Sequence, residues 1–107
     1  MRKNTNTLNK KAVDEILHTL RHHLPQLQEQ YGVRSLWMFG SYVRGEERKR
    51  SDLDMLVELD NRTLSLLGFI GLENRLSDML KVKVDLVEKD ILKPDVGRNV
   101  LKEIVQV

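Results

Sequence analysis

At 107 residues the chain has material for one domain with a single core, not two. Charged residues make up 32 % and aromatics 5 %, so that core is expected to be aliphatic, and the absence of cysteine excludes a disulfide framework or a thiolate metal site. No apolar run approaches the roughly 20 residues needed to cross a bilayer, and Met1 to Thr7 lack the apolar stretch of a signal peptide, so a cytoplasmic protein with no membrane partner is expected. The net charge of +2 is unevenly placed: residues 1–50 carry ten Lys/Arg against five Asp/Glu, and residues 51–107 eight against eleven. The densest cationic run, Arg48-Lys49-Arg50, has no interleaved aromatics, so it reads as a solvated loop and direct nucleic-acid binding is not expected.

Residues 1–7, rich in Asn and Thr, read as a disordered start, and residues 8–107 as the single domain. Val13, Ile16, Leu17, Leu20 and Leu24 fall on one stripe of a helix. Pro25 suits the first turn of a short second helix through Gln30, which Gly32 ends. Val33 to Phe39 closes on four consecutive apolar residues and predicts a buried strand in which Trp37 and Phe39 fill the core. Asp52 to Glu58 predicts a second strand. Thr63 or Ser65 can cap a helix carrying Leu66, Leu67, Ile70, Leu72, Leu76 and Leu80. Val82 to Val87 alternates as a third strand, and Pro94 opens a last helix with Val96, Val100, Leu101 and Ile104 inward, followed by the tail Val105-Gln106-Val107. The fold class that follows is α/β: a small two-layer sandwich with a mixed sheet of at least three strands and helices on one face.

The chemistry is concentrated between the first two strands. Gly40-Ser41 makes a small-residue turn whose backbone N–H groups can close on phosphate oxygens, aided by the positive end of a following helix. Asp52 and Asp54 project from one face of the second strand, about 6–7 Å apart along the backbone. Two like charges that close repel unless a cation sits between them, and carboxylate oxygens suit a hard one. Turn, hydroxyl and carboxylates together are the parts that a nucleoside triphosphate with its metal ions requires. His18 and His22 have the spacing of a zinc pair, but no Glu or third ligand accompanies them, and they read as a polar helix flank. Asp85 shares a strand face with Lys83 and Val87; by itself it reads as an ordinary exposed residue.

The pattern Gly-Ser-x-x-Arg-Gly followed by Ser-Asp-x-Asp, carried by Gly40, Ser41, Arg44, Gly45, Ser51, Asp52 and Asp54, resembles the minimal nucleotidyltransferase domains of the DNA polymerase beta-like superfamily. The resemblance runs from about Tyr31 to the C-terminus and includes Lys83-Val84-Asp85-Leu86-Val87, where such domains carry a third carboxylate. It implies a nucleotidyltransferase fold and a transferase that uses ATP with magnesium, as two ions bound by Asp52, Asp54 and Asp85. Asp85 would complete the site and help draw the proton from the acceptor hydroxyl. Gly40 and Ser41 would hold the β and γ phosphates. Arg44 either touches phosphate or pairs with a surface acid such as Glu47, and Gly45 ends the helix. Many such domains are antitoxins paired with a HEPN-type ribonuclease toxin, some of which silence it by adding AMP to a tyrosine. A hetero-oligomer with such a toxin is therefore implied.

The chain is too small to add a pocket for its own acceptor, so a partner protein is the natural source of the hydroxyl. Leu66, Leu67, Phe69 and Ile70 cannot all face one side of a helix, and that surplus suits either a docking patch or a helix wedged between sheet and tail. The alternative to AMP transfer is an antitoxin that neutralises its partner by contact alone.

Overall fold

The computed structural model describes residues 5–44, 52–60, 64–91 and 104–107. Helix α1 spans Thr5–Tyr31 and leads into strand β1, Val33–Phe39. One helical turn, α2 (Ser41–Arg44), follows Gly40, and then come β2 (Leu53–Leu59), α3 (Leu66–Leu80) and β3 (Val84–Glu88). A 3-10 turn, Lys89–Ile91, leaves β3, and β4 is the short strand Val105–Gln106. Among the described residues the sheet has four strands in the order β3-β2-β1-β4. β1 runs antiparallel to β2 and β4, while β2 and β3 are parallel. The sheet is therefore mixed, with α1 and α3 over one face.

The core lies between that face and the helices. Leu17, Leu20 and Leu27 of α1 and Leu72 and Leu76 of α3 pack on Leu36 and Met38 of β1, Leu53, Met55 and Val57 of β2, and Val84 and Leu86 of β3. All are aliphatic or methionine, as the composition requires. Ten of the described apolar side chains are less than 2 % exposed, enough to anchor both layers.

Four readings of the sequence need correction. α1 already includes Thr5, Asn6 and Thr7. It also passes through Pro25 without a break. Proline removes one N–H and deprives the Arg21 carbonyl of its helical donor. Arg21 and Pro25 are both exposed, so water can serve that carbonyl, while Leu20, Leu24 and Leu27 continue the apolar stripe across the proline. The helix ends at Gly32, whose φ of 73° only glycine adopts easily and whose N–H donates to the Gln28 carbonyl at 3.0 Å.

Trp37 and Phe39 are not in the core. The register of β1 on β2 shifts between Val33 and Ser35, so Val33, Leu36 and Met38 turn inward and the two aromatics lie half-buried on the opposite face. Lys89 Nζ lies 5.2 Å above the Trp37 ring and 3.9 Å from Glu58 Oε2. The terminal tail, finally, is a strand: Gln106 pairs with Trp37, Val105 with Met38, and the Val107 N–H donates to the Leu36 carbonyl at 2.9 Å. Two residues are too few to show a period of two, and pairing with β1 alone decides their conformation. The expected helix through Val96, Val100 and Leu101 lies outside the described residues, as do Thr63, Gly45, Ser51 and the run Arg48 to Arg50; Ile104 is described and directly precedes β4.

α3 begins at Ser65, the second of the two expected caps. Its Oγ accepts from the Gly68 N–H at 3.0 Å, satisfying one of the donors that a helix start leaves open. The helix closes with Lys81 in the left-handed region and its N–H on the Ser77 carbonyl at 2.8 Å.

Candidate active site

The open face of the sheet, away from α1 and α3, carries the acids. Leu53, Met55 and Val57 of β2 point into the core, so Asp52 and Asp54 emerge on the other side. On β3, Val84 and Leu86 point inward and Asp85 outward. The parallel register then pairs Asp54 directly with Asp85, and the antiparallel register pairs Asp54 with Phe39, the residue before the turn. Neighbouring strands are about 4.8 Å apart, so Asp54 and Asp85 stand side by side on one face. The Leu53 N–H donates to the Lys83 carbonyl at 2.8 Å and fixes where this pairing starts.

Gly40 closes the site from above. Its φ is +82°, and a Cβ placed on it would strike Asp54 Oδ2 and lie 3.1 Å from Asp54 Cγ. Turn and carboxylate are thus in direct contact, although twelve residues separate the end of one from the start of the other. α2 is a single turn, so the local N–H groups, rather than a helix dipole, are what the turn offers to an anion. The side chains of Ser41 and Arg44 lie outside what the structure describes.

Asp52 lies just before β2 and is about half exposed. Lys83 Nζ approaches its Oδ2 to 3.9 Å, with the lysine side chain 80 % exposed. Sequence reasoning passed over Lys83; the signal was its parity with Asp85, which puts both on the open face. It also missed Ser77 and Glu73 of α3. Ser77 Oγ accepts from the Val84 N–H at 3.0 Å and Glu73 Oε2 from the Leu86 N–H at 2.9 Å, on either side of Asp85.

Among the described residues no three His, Asp or Glu side chains gather as a ready-made metal centre. What the backbone supplies is three carboxylates on one face, two of them in register. This all-oxygen donor set suits a hard divalent cation, and the adjacent like charges of Asp54 and Asp85 gain from one. His18 is exposed and the His22 ring stands edge-on to His23, whose Nδ1 is 2.9 Å from the Thr19 carbonyl. That arrangement is a polar helix flank. No helix among the described residues is long and apolar enough to cross a membrane.

The sequence and the fold both resemble those of known proteins. The profile of the nucleotidyltransferase domain family matches residues 20–107. Protein adenylyltransferase MntA of Thermococcus cleftensis is 45 % identical over 96 residues, which cover 90 % of this chain and 96 % of that protein. Among solved structures, a minimal nucleotidyltransferase superposes with a TM-score of 0.67 at 30 % identity, over 99 % of this chain and 98 % of the other. A toxin–antitoxin structure with AMP-PNP gives a TM-score of 0.63 at 26 % identity, over 87 % of this chain and 69 % of that one.

Proposed function

The chain belongs to the nucleotidyltransferase domain family, and from that premise we propose that it transfers AMP from ATP to a hydroxyl of a partner protein, as the antitoxin of a HEPN-type toxin. The observation that carries the reading is the in-register pair Asp54 and Asp85 beneath the Gly40 turn. The 45 % identity to a protein adenylyltransferase over nearly the whole chain supports the same activity, and the likeness to a toxin–antitoxin structure with AMP-PNP supports both nucleotide and partner.

The residues divide the work by position. The Gly40-Ser41 turn would receive the β and γ phosphates through its N–H groups and the serine hydroxyl, and Arg44, one turn further along the chain, would either contact a phosphate or pair with a surface acid. Asp52, Asp54 and Asp85 would hold magnesium, as a pair of ions, which would neutralise the triphosphate charge and lower the pKa of the acceptor hydroxyl. Asp85, the most exposed of the three, stands where an incoming hydroxyl can pass it a proton. The acceptor oxygen then bonds to the α-phosphorus, the bond from that phosphorus to the bridging oxygen breaks, and pyrophosphate leaves with the electron pair. Positioning and fixed charge, rather than covalent chemistry by the protein, carry most of the acceleration. A cytoplasmic location, where ATP and magnesium are both at hand, fits this reading.

A second reading, neutralisation by contact alone, has one observation in its favour: Leu66 and Leu67 on α3 are 75 % and 80 % exposed. One experiment separates the two. Labelled ATP, magnesium and the partner toxin are mixed with the wild-type chain or with Asp52→Asn and Asp54→Asn variants. Transfer of label to the partner by wild type, and its loss in folded variants, supports the enzyme. A double variant that neutralises the partner fully without labelling it establishes contact.

A further inference from the structure

Among the described residues β3 is an edge strand, and its edge is occupied. In a strand the N–H groups of alternate residues point to opposite sides, so those of Val84 and Leu86 face away from β2. Left to themselves they would meet only solvent or a foreign strand. Instead α3 reaches down to both: Val84 N–H donates to Ser77 Oγ at 3.0 Å, and Leu86 N–H donates to Glu73 Oε2 at 2.9 Å. Both acceptors are part-buried, four residues apart on one face of α3, just beside the buried Leu72 and Leu76 that fix the helix to the core. The residue between the two clamped amides is Asp85, whose register partner is Asp54.

We propose that Glu73 and Ser77 are positioning residues for the transfer reaction, fixing Asp85 opposite Asp54 through the two amides that flank it. The inference rests on the reading of Asp85 as part of the active site, but it concerns side chains whose hydrogen bonds go to the β3 backbone. The physical need is specific. An edge strand is held by hydrogen bonds on one side alone, and a slide or tilt of β3 by an ångström would separate the carboxylates that must act together. Glu73 and Ser77 supply the missing second side. The hydrogen bond from Leu86 is to a charged acceptor and is the stronger of the two.

The test compares Ser77→Ala, Glu73→Leu and the double variant with the conservative Ser77→Thr and Glu73→Gln, each of which keeps an acceptor oxygen. Two quantities are read per folded molecule: Mn2+ affinity by electron paramagnetic resonance, and the kcat and KM of AMP transfer to the partner. Loss of a group that supports a metal-binding carboxylate lowers affinity or rate about tenfold or more. The expected result is a fall of that size in Mn2+ affinity and kcat for the double variant, with KM for ATP within about twofold of wild type. The conservative variants should recover most of it. Wild-type Mn2+ affinity and kcat in a folded Ser77→Ala, Glu73→Leu or double variant would overturn the proposal and leave the two residues as edge protection only. If the double variant does not fold, the single variants decide by the same criterion. A wild-type chain that transfers nothing to its partner refutes the enzymatic reading instead, and the Mn2+ titration still judges the positioning.

Discussion

Gly40 and Asp54 share a space that admits no further atom. The glycine has φ +82°, and the Cβ that any other residue would bring lies 3.3 Å from Asp54 Cβ and collides with its carboxylate. Replacing Gly40 with Ala therefore does two separable things. The left-handed backbone costs an L-residue about 1–2 kcal/mol, and the methyl pushes the Asp54 side chain out of place. The first effect lowers Tm by a few degrees; the second acts on chemistry alone. Activity of Gly40→Ala should fall about a hundredfold, well beyond what its stability explains, because displacing a reacting group by an ångström costs that much. Calorimetry beside a transfer assay checks both, and a variant that is destabilised yet fully active per folded molecule would show that the turn does not constrain Asp54.

Asp85 offers the opposite pairing of effects. Like charges directly opposite on paired strands destabilise by about 0.2–1 kcal/mol, and Asp54 and Asp85 are such a pair. Asp85→Asn should therefore unfold at the same or a slightly higher temperature than wild type in the presence of a chelator, while losing transfer activity. Magnesium should raise the Tm of wild type and do so far less for the variant, since a ligand stabilises only the state that binds it. Thermal melts with and without magnesium are the check. An equal magnesium-dependent rise in both proteins would remove Asp85 from the metal site.

Lys83 competes for the same ground. Its ammonium is 3.9 Å from Asp52 Oδ2 and its side chain is 80 % exposed, so the pair contributes little to folding, on the order of 0–1 kcal/mol. Its effect should appear instead in cation binding, because a divalent ion must displace it from Asp52. Lys83→Met is expected to leave Tm within about a degree and to tighten Mn2+ binding by roughly two- to fivefold at low salt, an advantage that shrinks as salt screens the lysine. Weaker Mn2+ binding in the variant would mean that Lys83 assists the site rather than guarding it.

Much of this was legible in the residues. β1 has the bounds its apolar run predicts, Ser65 is one of the two expected caps, and strand parity puts Asp52 and Asp54 on one face, while Asp85 joins them in the sequence only through the family resemblance. What could not be read depends on pairing. Trp37 and Phe39 turn outward because the β1 register slips beside Val33, and one slip reverses every side chain beyond it. The helix runs through Pro25 because the stripe of Leu20, Leu24 and Leu27 has a core to lie on, a tertiary effect that outweighs local propensity. The motif joins Gly40 to Asp54 without showing that the two touch, and the reach of Glu73 and Ser77 to the edge of β3 brings together residues that carry no mutual signal in the chain.

The first turn and the middle of α3 make the last prediction. Leu72 and Leu76 are fully buried, while Leu66 and Leu67, one and two residues past the Ser65 cap, stand in solvent. Leu72→Ala or Leu76→Ala should cost about 2–5 kcal/mol, since each leaves a cavity that the sheet cannot close. Ser65→Ala should cost about 1 kcal/mol through the lost bond to Gly68. Leu66→Lys and Leu67→Lys together should change stability by less than about 0.5 kcal/mol, as exposed substitutions do. Urea unfolding ranks the four. The lysine pair then becomes the instrument for the partner: with folding untouched, any loss of toxin binding measured by calorimetry belongs to the surface itself. Unchanged binding would show that these leucines take no part in docking, and the acids on the open face would then be the better place to look for the partner's contact.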